Sequence, residues 1–581
     1  MCALALNGCT KSESDGNLSV YHGSEADDIK TLDPANAYDT ISLDIVPMIY
    51  ETLYQYDYVA ETYKAAPLLA ADMPKYSKDR LTLTIPIKHG VMFQDDPCFK
   101  ETKGKGRELK AQDFIYAFKR LAHPQLQSQG WWIFDGKVVG INAFHDKIAK
   151  ISPITAKGEF DKAFAEEIEG LKAVDDYTVQ IKLIKPYPQL MYVLIMSFAA
   201  AVPHEAVEAY ADEKGNLSDH PVGTGPYILK SWVRGNRVVL DRNPTHHPEF
   251  YPIGGGSDAG KALPLLDRVS LAIIKEQQPA WLRFLNGELD MASIPKDNFQ
   301  SAITNQVNLS PDLAKKGIQL KIEHGAGFYY IAINTKDKTL SNKYLRQAIA
   351  SSVSREKWTE LFTNGRGIKA TTALPPGIAD RPLNTHMKYD YNLPLAKELL
   401  KKAGYPEGKG LPVLNFDMRG AASLDRQMGE FFEHQLGEAG IKVNIIYNTF
   451  PAYLEKSKQG NLQLSLGGWV MDYPDGENVY QLVYGPNGPP GPNDSSFDNP
   501  AMNKMYEEIA VMETGPKRAQ IIAKMDDLLQ EECPWGLGYY AVEYHMQQSW
   551  LKNFRPSDII TNKYKYFNVD KDIKAQFLGK K

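Results

Sequence analysis

Two periodicities run through the chain. Leu81-Thr82-Leu83-Thr84-Ile85-Pro86-Ile87-Lys88 alternates apolar and polar residues, the mark of a half-buried strand, and Pro86 predicts that it lies at a sheet edge. Lys442 to Tyr447 alternates in part, and Leu462, Leu464 and Leu466 share a face interleaved with Gln463 and Ser465. Arg234-Gly235-Asn236 sits between Tyr227–Val233 and Arg237–Leu240 and predicts a hairpin. Helical spacing governs other stretches. Phe114, Ile115, Phe118 and Leu121 fall on one side of a helix. Asn392 is placed to cap a helix with Pro394 in its first turn and Leu395, Leu399 and Leu400 along it, stopping at Gly404. Ser341-Asn342 precedes Leu345, Ile349 and Val353 at the same spacing. Strands and helices mix along the whole length, which predicts an α/β class. No fixed-period repeat is visible.

The punctuation between these elements is uneven. Gly254-Gly255-Gly256-Ser257 is a loop, and Lys100 to Lys110 is a polar insertion around Gly104 and Gly106. Gly485 to Pro500 is rich in Gly, Pro and Asn and predicts a long surface loop beside something functional. Length alone, 581 residues, suggests about four domains. Composition, 43% apolar and 24% charged, excludes a largely disordered chain. Lys and Arg number 66 against 71 acidic residues, a net charge of −5, with no basic stripe to hold nucleic acid. No apolar run reaches the ~18 residues of a membrane-spanning helix. Tyr is abundant at 32, which suits a core and equally a surface that grips something flexible and polar.

The four cysteines are Cys2, Cys9, Cys98 and Cys533, and none has metal-ligand spacing. A short apolar stretch ends in Leu6-Asn7-Gly8-Cys9, and polar Lys11 to Asn17 follows. This resembles the end of a bacterial lipoprotein signal, with Cys9 as the lipidated residue and residues 1–16 as signal remnant and tether. The basic segment expected before it is missing and the apolar stretch is short, as a start codon placed too far downstream would produce. The alternative is a frayed terminus with incidental cysteines.

Catalytic signatures are mostly absent. There is no G-x-S-x-G, no P-loop and no H-E-x-x-H; His204-Glu205 opens like the last, but Glu208 stands at the closing position. Gly223-Thr224-Gly225-Pro226 has glycine-loop spacing, yet Pro226 removes an N–H where a phosphate would need one, so a structural turn is expected. His246-His247, between Pro244 and Pro248, are expected to be solvated, and no metal site is expected. Asp472 and Asp475, three apart, could act as acid and base or bind calcium, but no further ligand cluster supports either. One segment stands out: Gly467-Gly468-Trp469-Val470-Met471-Asp472-Tyr473-Pro474-Asp475-Gly476, after an apolar strand. Its glycines permit close backbone approach, Trp469 offers a flat wall, and Asp472 offers a charge that can hold an ammonium group. A core Trp followed by a turn fits the same residues.

The sequence resembles the extracellular solute-binding protein family 5, the oligopeptide- and dipeptide-binding components of bacterial ABC importers. Six stretches carry the resemblance. They are Ile45 to Leu53; Pro67 to Ala70 with Leu81–Phe93 and Ala111 to Arg120; Pro221-Val222-Gly223-Thr224-Gly225-Pro226-Tyr227 through Arg242-Asn243-Pro244; Phe284 to Asp290; Tyr330 to Thr335 through Leu345 to Ala350; and Trp469 to Asp475. The matches span nearly the whole chain in family order.

The resemblance implies a two-lobed periplasmic binding protein (type II) with an extra subdomain in the first lobe. The implied first-lobe core is 17–66 with 186–276 and 544–581, the extra subdomain 67–185, and the second lobe 277–543, with hinge crossings near 276 and 543. Closure would bury ligand between the lobes. The W-x-x-D match gives Asp472 the peptide's ammonium group and Trp469 the adjacent pocket, with Tyr473 as a neighbour and backbone at Gly467 and Gly468 pairing with ligand. Some family members carry Arg three residues before the motif Trp, near the ligand carboxylate; here that place is Leu466, and Arg419 is a substitute cation or, alternatively, a solvated surface residue. No cofactor and no catalysis are implied. The implied partners are a peptide and two permease subunits, with the ATPases reached only through the permease, and the implied state is a monomer in the periplasm or cell envelope. A nickel chelate, a sugar or a murein peptide are alternative ligands on the same scaffold. A secreted hydrolase using Asp472 and Asp475 is the alternative of a different class. Pairing of Cys98 with Cys533 is left open.

Overall fold

The structure, a computed structural model, describes residues 15–383 and 386–579. Cys2 and Cys9 lie outside the described residues. Three sheets organise the chain. In the first, Val20–Glu25 pairs in parallel with Arg268–Ile273, which runs antiparallel to Arg237–Arg242, itself antiparallel to Tyr227–Val233. The last two strands form the expected hairpin, and Gly235 takes the left-handed φ of +67° that its turn requires. Gly223 and Gly225 serve the structural turn expected of them. A Cβ on either would collide with the Met48–Tyr50 backbone, and Gly225 donates its N–H to Ile49 at 2.8 Å.

The second sheet has the order Lys75–Tyr76, Thr82–Pro86, Thr178–Lys182, Leu171–Asp175. Thr82–Pro86 is therefore an interior strand, not the edge that Pro86 predicts. Its short neighbour reaches only Leu83 and Thr84, so the missing proline N–H leaves no ladder bond unmade on that side. One hydrophobic core runs from Tyr21 through Leu83, Phe118 and Leu240 to Phe567. The inserted sheet, the first sheet and the returning carboxyl-terminal segment thus share one interior.

The third sheet has seven strands and forms the second lobe. Its order is Met291–Ser293, Trp535–Gln547, Gln319–Ile333, Leu464–Val470, Leu414–Met418, Val443–Tyr447, with Gly367–Lys369 also pairing Trp535–Gln547. Both faces are covered. Phe328, Tyr330 and Ala332 enter one core, while Ile331 and Ile333 enter another, as strand alternation dictates. Asn392 caps the helix Leu393–Lys402 by accepting from the Leu395 N–H at 3.0 Å, and Asn342 likewise caps Lys343–Ser351. The division placed at 543 falls inside the Trp535–Gln547 strand. Beyond that strand, Trp550 is buried in the core shared by the first two sheets and donates its indole N–H to Asp290 at 2.6 Å. Cys98 and Cys533 are buried free thiols. Among the described residues no helix is long and apolar enough to cross a membrane.

Candidate functional site

A cleft of about 1670 Å³ separates the lobes, lined by Tyr38, Trp132 and Tyr192 from one side and by Arg419, Gly468, Trp469, Asp472 and Tyr473 from the other. Its second-lobe wall is built by the Leu464–Val470 strand. On one side this strand pairs with Gln319–Ile333 along its full length. On the other, Leu414–Met418 matches only Leu464 and Ser465. From Leu466 to Val470 that edge has no strand beside it among the described residues. The Tyr453 hydroxyl donates to the Leu466 carbonyl at 3.2 Å, and Arg419 approaches the Gly468 carbonyl at 3.5 Å.

The space a Cβ would take at these glycines is filled by side chains of the protein itself. A Cβ at Gly467 would enter the Tyr330 ring, and one at Gly468 would lie 2.7 Å from Arg419 Nη1 and 2.9 Å from the Tyr329 ring. They admit aromatic side chains of the paired strand. Gly468 also reaches the cleft, whereas Gly467 is buried behind it.

Asp472 follows the end of this strand and is half-buried. Its Oδ1 accepts from the Tyr38 hydroxyl of the opposite lobe at 3.2 Å, and its Oδ2 accepts from Asn478 Nδ2 at 2.9 Å. No cation pairs with it among the described residues. Burial therefore pushes its pKa up to about 6, only partly relieved by the Asn478 and Tyr38 hydrogen bonds. Asn478, fully buried, fixes the whole motif: its Oδ1 accepts from the Trp469 indole at 2.9 Å and from the Asp472 N–H at 3.1 Å.

Tyr473 donates to Glu477 at 2.6 Å and stacks on Tyr192 at 6.0 Å, with Trp132 at 6.3 Å. Tyr506 donates to the other oxygen of Glu477, whose pKa burial raises. Asp475 does not join Asp472. It turns inward to a buried ion pair with Arg518, so the acid–base pair expected of a hydrolase is not assembled. Arg419 stands in the cleft wall, over the Phe450 ring at 5.2 Å. The Gly485–Pro500 loop borders the cleft through Asn487, Pro492 and Asp494 and keeps Pro486, Pro490 and Asp498 exposed, as a surface loop beside the site should, while Asn493 and Ser495 anchor it as fully buried residues. Tyr38, Asn478 and Glu477 escaped sequence reasoning. The high Tyr count was a signal for Tyr38 alone; nothing in the sequence pointed to Asn478 or Glu477.

Residues 64–491 match the family described as bacterial extracellular solute-binding proteins, family 5, and the chain belongs to that family. Among curated relatives, the oligopeptide-binding protein OppA of Bacillus subtilis is 24% identical over 556 residues, covering 94% of this chain and 92% of that protein. The periplasmic oligopeptide-binding protein OppA of Salmonella typhimurium is 24% identical over 474 residues, 79% of this chain and 78% of the relative. Among solved structures, the periplasmic binding protein DppA of Helicobacter pylori in complex with the peptide STSA superposes with a TM-score of 0.73 at 22% identity, over 95% of this chain and 98% of that one.

Proposed function

We propose that the protein is the substrate-binding component of an ABC importer that captures peptides in extended form between its lobes and delivers them to the membrane permease. One observation carries this reading: Asp472, a half-buried carboxylate with no counter-cation among the described residues, stands at the end of the Leu466–Val470 edge, which no described strand covers. A peptide laid along that edge finds backbone partners regardless of its sequence, and its ammonium group supplies the charge Asp472 lacks. The cleft volume of about 1670 Å³ exceeds the ~300–1000 Å³ of ordinary small-molecule pockets and leaves room for side chains with water around them. Trp469 and Tyr473 form the wall beside the amino terminus, and Arg419 meets the ligand carboxylate. Closure turns on the crossings near 276 and 548. The protein acts as a monomer in the periplasm or cell envelope, tethered through Cys9, and reaches the ATPases only through the permease. Mass spectrometry of protein purified without denaturation tests the reading. Intact peptides released from the cleft support it; incubation with mixed peptides that yields cleaved products refutes it.

A further inference from the structure

Sequence reasoning expects His246 and His247 to be solvated; the structure buries them. Their side chains are 4% and 3% exposed, and both rings turn Nε2 toward Glu51, which is 1% exposed. Glu51 directly follows Tyr50 at the end of the helix Thr40–Ile49, while the histidines lie in the connection after Arg237–Arg242. The fold thus draws two distant pieces of the first lobe onto one point. His246 Nε2 is 3.2 Å from Glu51 Oε1; His247 Nε2 is 3.1 Å from each carboxylate oxygen. The Thr224 hydroxyl reaches Glu51 Oε2 at 3.0 Å.

We propose that Glu51, His246 and His247 form a binding site for a divalent metal of zinc type in the wall of the first lobe. Zinc holds nitrogen and oxygen ligands at ~2.0–2.1 Å, so the edges of its tetrahedron are roughly 3.3 Å. The separations seen are close to that edge and longer than the ~2.9–3.0 Å of a usual N–H···O bond. The ring centroids are 4.4 Å apart and inclined by 43°, so the two nitrogens converge instead of stacking side by side. All three donor atoms lie within 4.8 Å of one another. Two imidazoles and a carboxylate are a zinc donor set with a fourth position left, here beside Thr224. Both Nδ1 atoms are buried without a partner, so the rings are held only through the side on which the ligands meet. Metal-bound histidines ordinarily donate Nδ1–H to a carboxylate or carbonyl, and lacking that partner costs ~10–100-fold in affinity. The other charges against the cluster are the Lys565–Glu249 ion pair and Lys88, which competes with a dication for Glu51.

Glu51 also lines the cleft between the lobes, but zinc is read here without peptide, so neither proposal stands or falls with the other. Equilibrium dialysis of the chelator-stripped full chain against zinc chloride tests it. One zinc per chain is expected, with cobalt(II) giving the intense visible bands of a tetrahedral site. Glu51→Gln and His247→Ala should each weaken zinc at least 100-fold, while His204→Ala, an exposed histidine, leaves it unchanged. Equal zinc on wild type and on the His246→Ala/His247→Ala double variant overturns the proposal, as does no zinc at all. Should those variants fail to fold, anomalous scattering at the zinc edge from wild-type crystals decides. Metal between the three side chains supports the site; metal only elsewhere overturns it.

Discussion

Replacing Asp472 by Asn separates two consequences of one buried charge. In the ligand-free protein the carboxylate titrates at about 6 instead of 3.8, because burial disfavours its charged form. At about 1.36 kcal/mol per pH unit, keeping it ionised at neutral pH costs about 3 kcal/mol of folding stability. The sign is fixed: the folded value lies above the unfolded one, so the penalty is absent below pH ~4, grows through pH 4–6 and is complete above it. Asp472→Asn should therefore raise the stability of the ligand-free protein at pH 7.5 by up to about 3 kcal/mol and leave it nearly unchanged at pH 4, measured by urea unfolding. The same change should weaken peptide binding by ~2–5 kcal/mol, the scale for removing one partner of a buried charge pair. Calorimetry with a peptide recovered from the native protein, and with its Nα-acetylated form, closes a double-mutant cycle. Acetylation should cost wild type most of its affinity and the variant little. Unchanged affinity in Asp472→Asn, or an equal loss on acetylation in both proteins, refutes the assignment.

Four further outcomes follow from neighbouring geometry. Affinity for a peptide with a free amino terminus should fall as pH drops below about 6, approaching tenfold per pH unit, because the ammonium needs Asp472 ionised; calorimetry across pH 5–8 checks this. Arg419→Gln should weaken peptides with a free carboxylate by ~1.5–3 kcal/mol and spare their amidated forms, as read by competition binding. Gly467→Ala should destabilise the second lobe by about 1–3 kcal/mol in denaturant titrations, because its methyl group would enter the Tyr330 ring. Asp475→Asn should cost about 2–4 kcal/mol of stability, since among the described residues Arg518 then keeps Asp380, at 3.0 Å, as its one carboxylate partner beside the Ile509 carbonyl, while peptide affinity stays unchanged.

Features governed by local chemistry were legible in the sequence. The Gly235 hairpin, the Asn392 cap and the Gly223–Pro226 turn each depend on a few adjacent residues, and each forms as read. The two-lobed family was legible because its motifs recur in order. What escaped depends on long-range pairing. Tyr38 lies 434 residues from Asp472, and nothing near it in the chain announces the contact. Asp475 looks like a partner of Asp472 in sequence, yet the helix carrying Arg518 draws it into the core. His246 and His247 read as a solvated loop because the carboxylate that buries them stands 195 residues upstream. Pro86 marks an edge only if its neighbours are long, and the Lys75–Tyr76 strand is two residues. The length prior failed for a related reason: separate sheets need not mean separate bodies when one interior fills both.

That shared interior has a mechanical meaning. The inserted sheet cannot swing independently of the first lobe without opening the core between Phe118 and Leu240, so it extends the lobe as a rigid arm. Trp132, carried on that arm, meets Tyr473 across the cleft, and Arg80, earlier in the same insertion, pairs with Glu513. Any rotation of the first lobe against the second would carry both contacts with it as one body, because the arm and the lobe share a single interior.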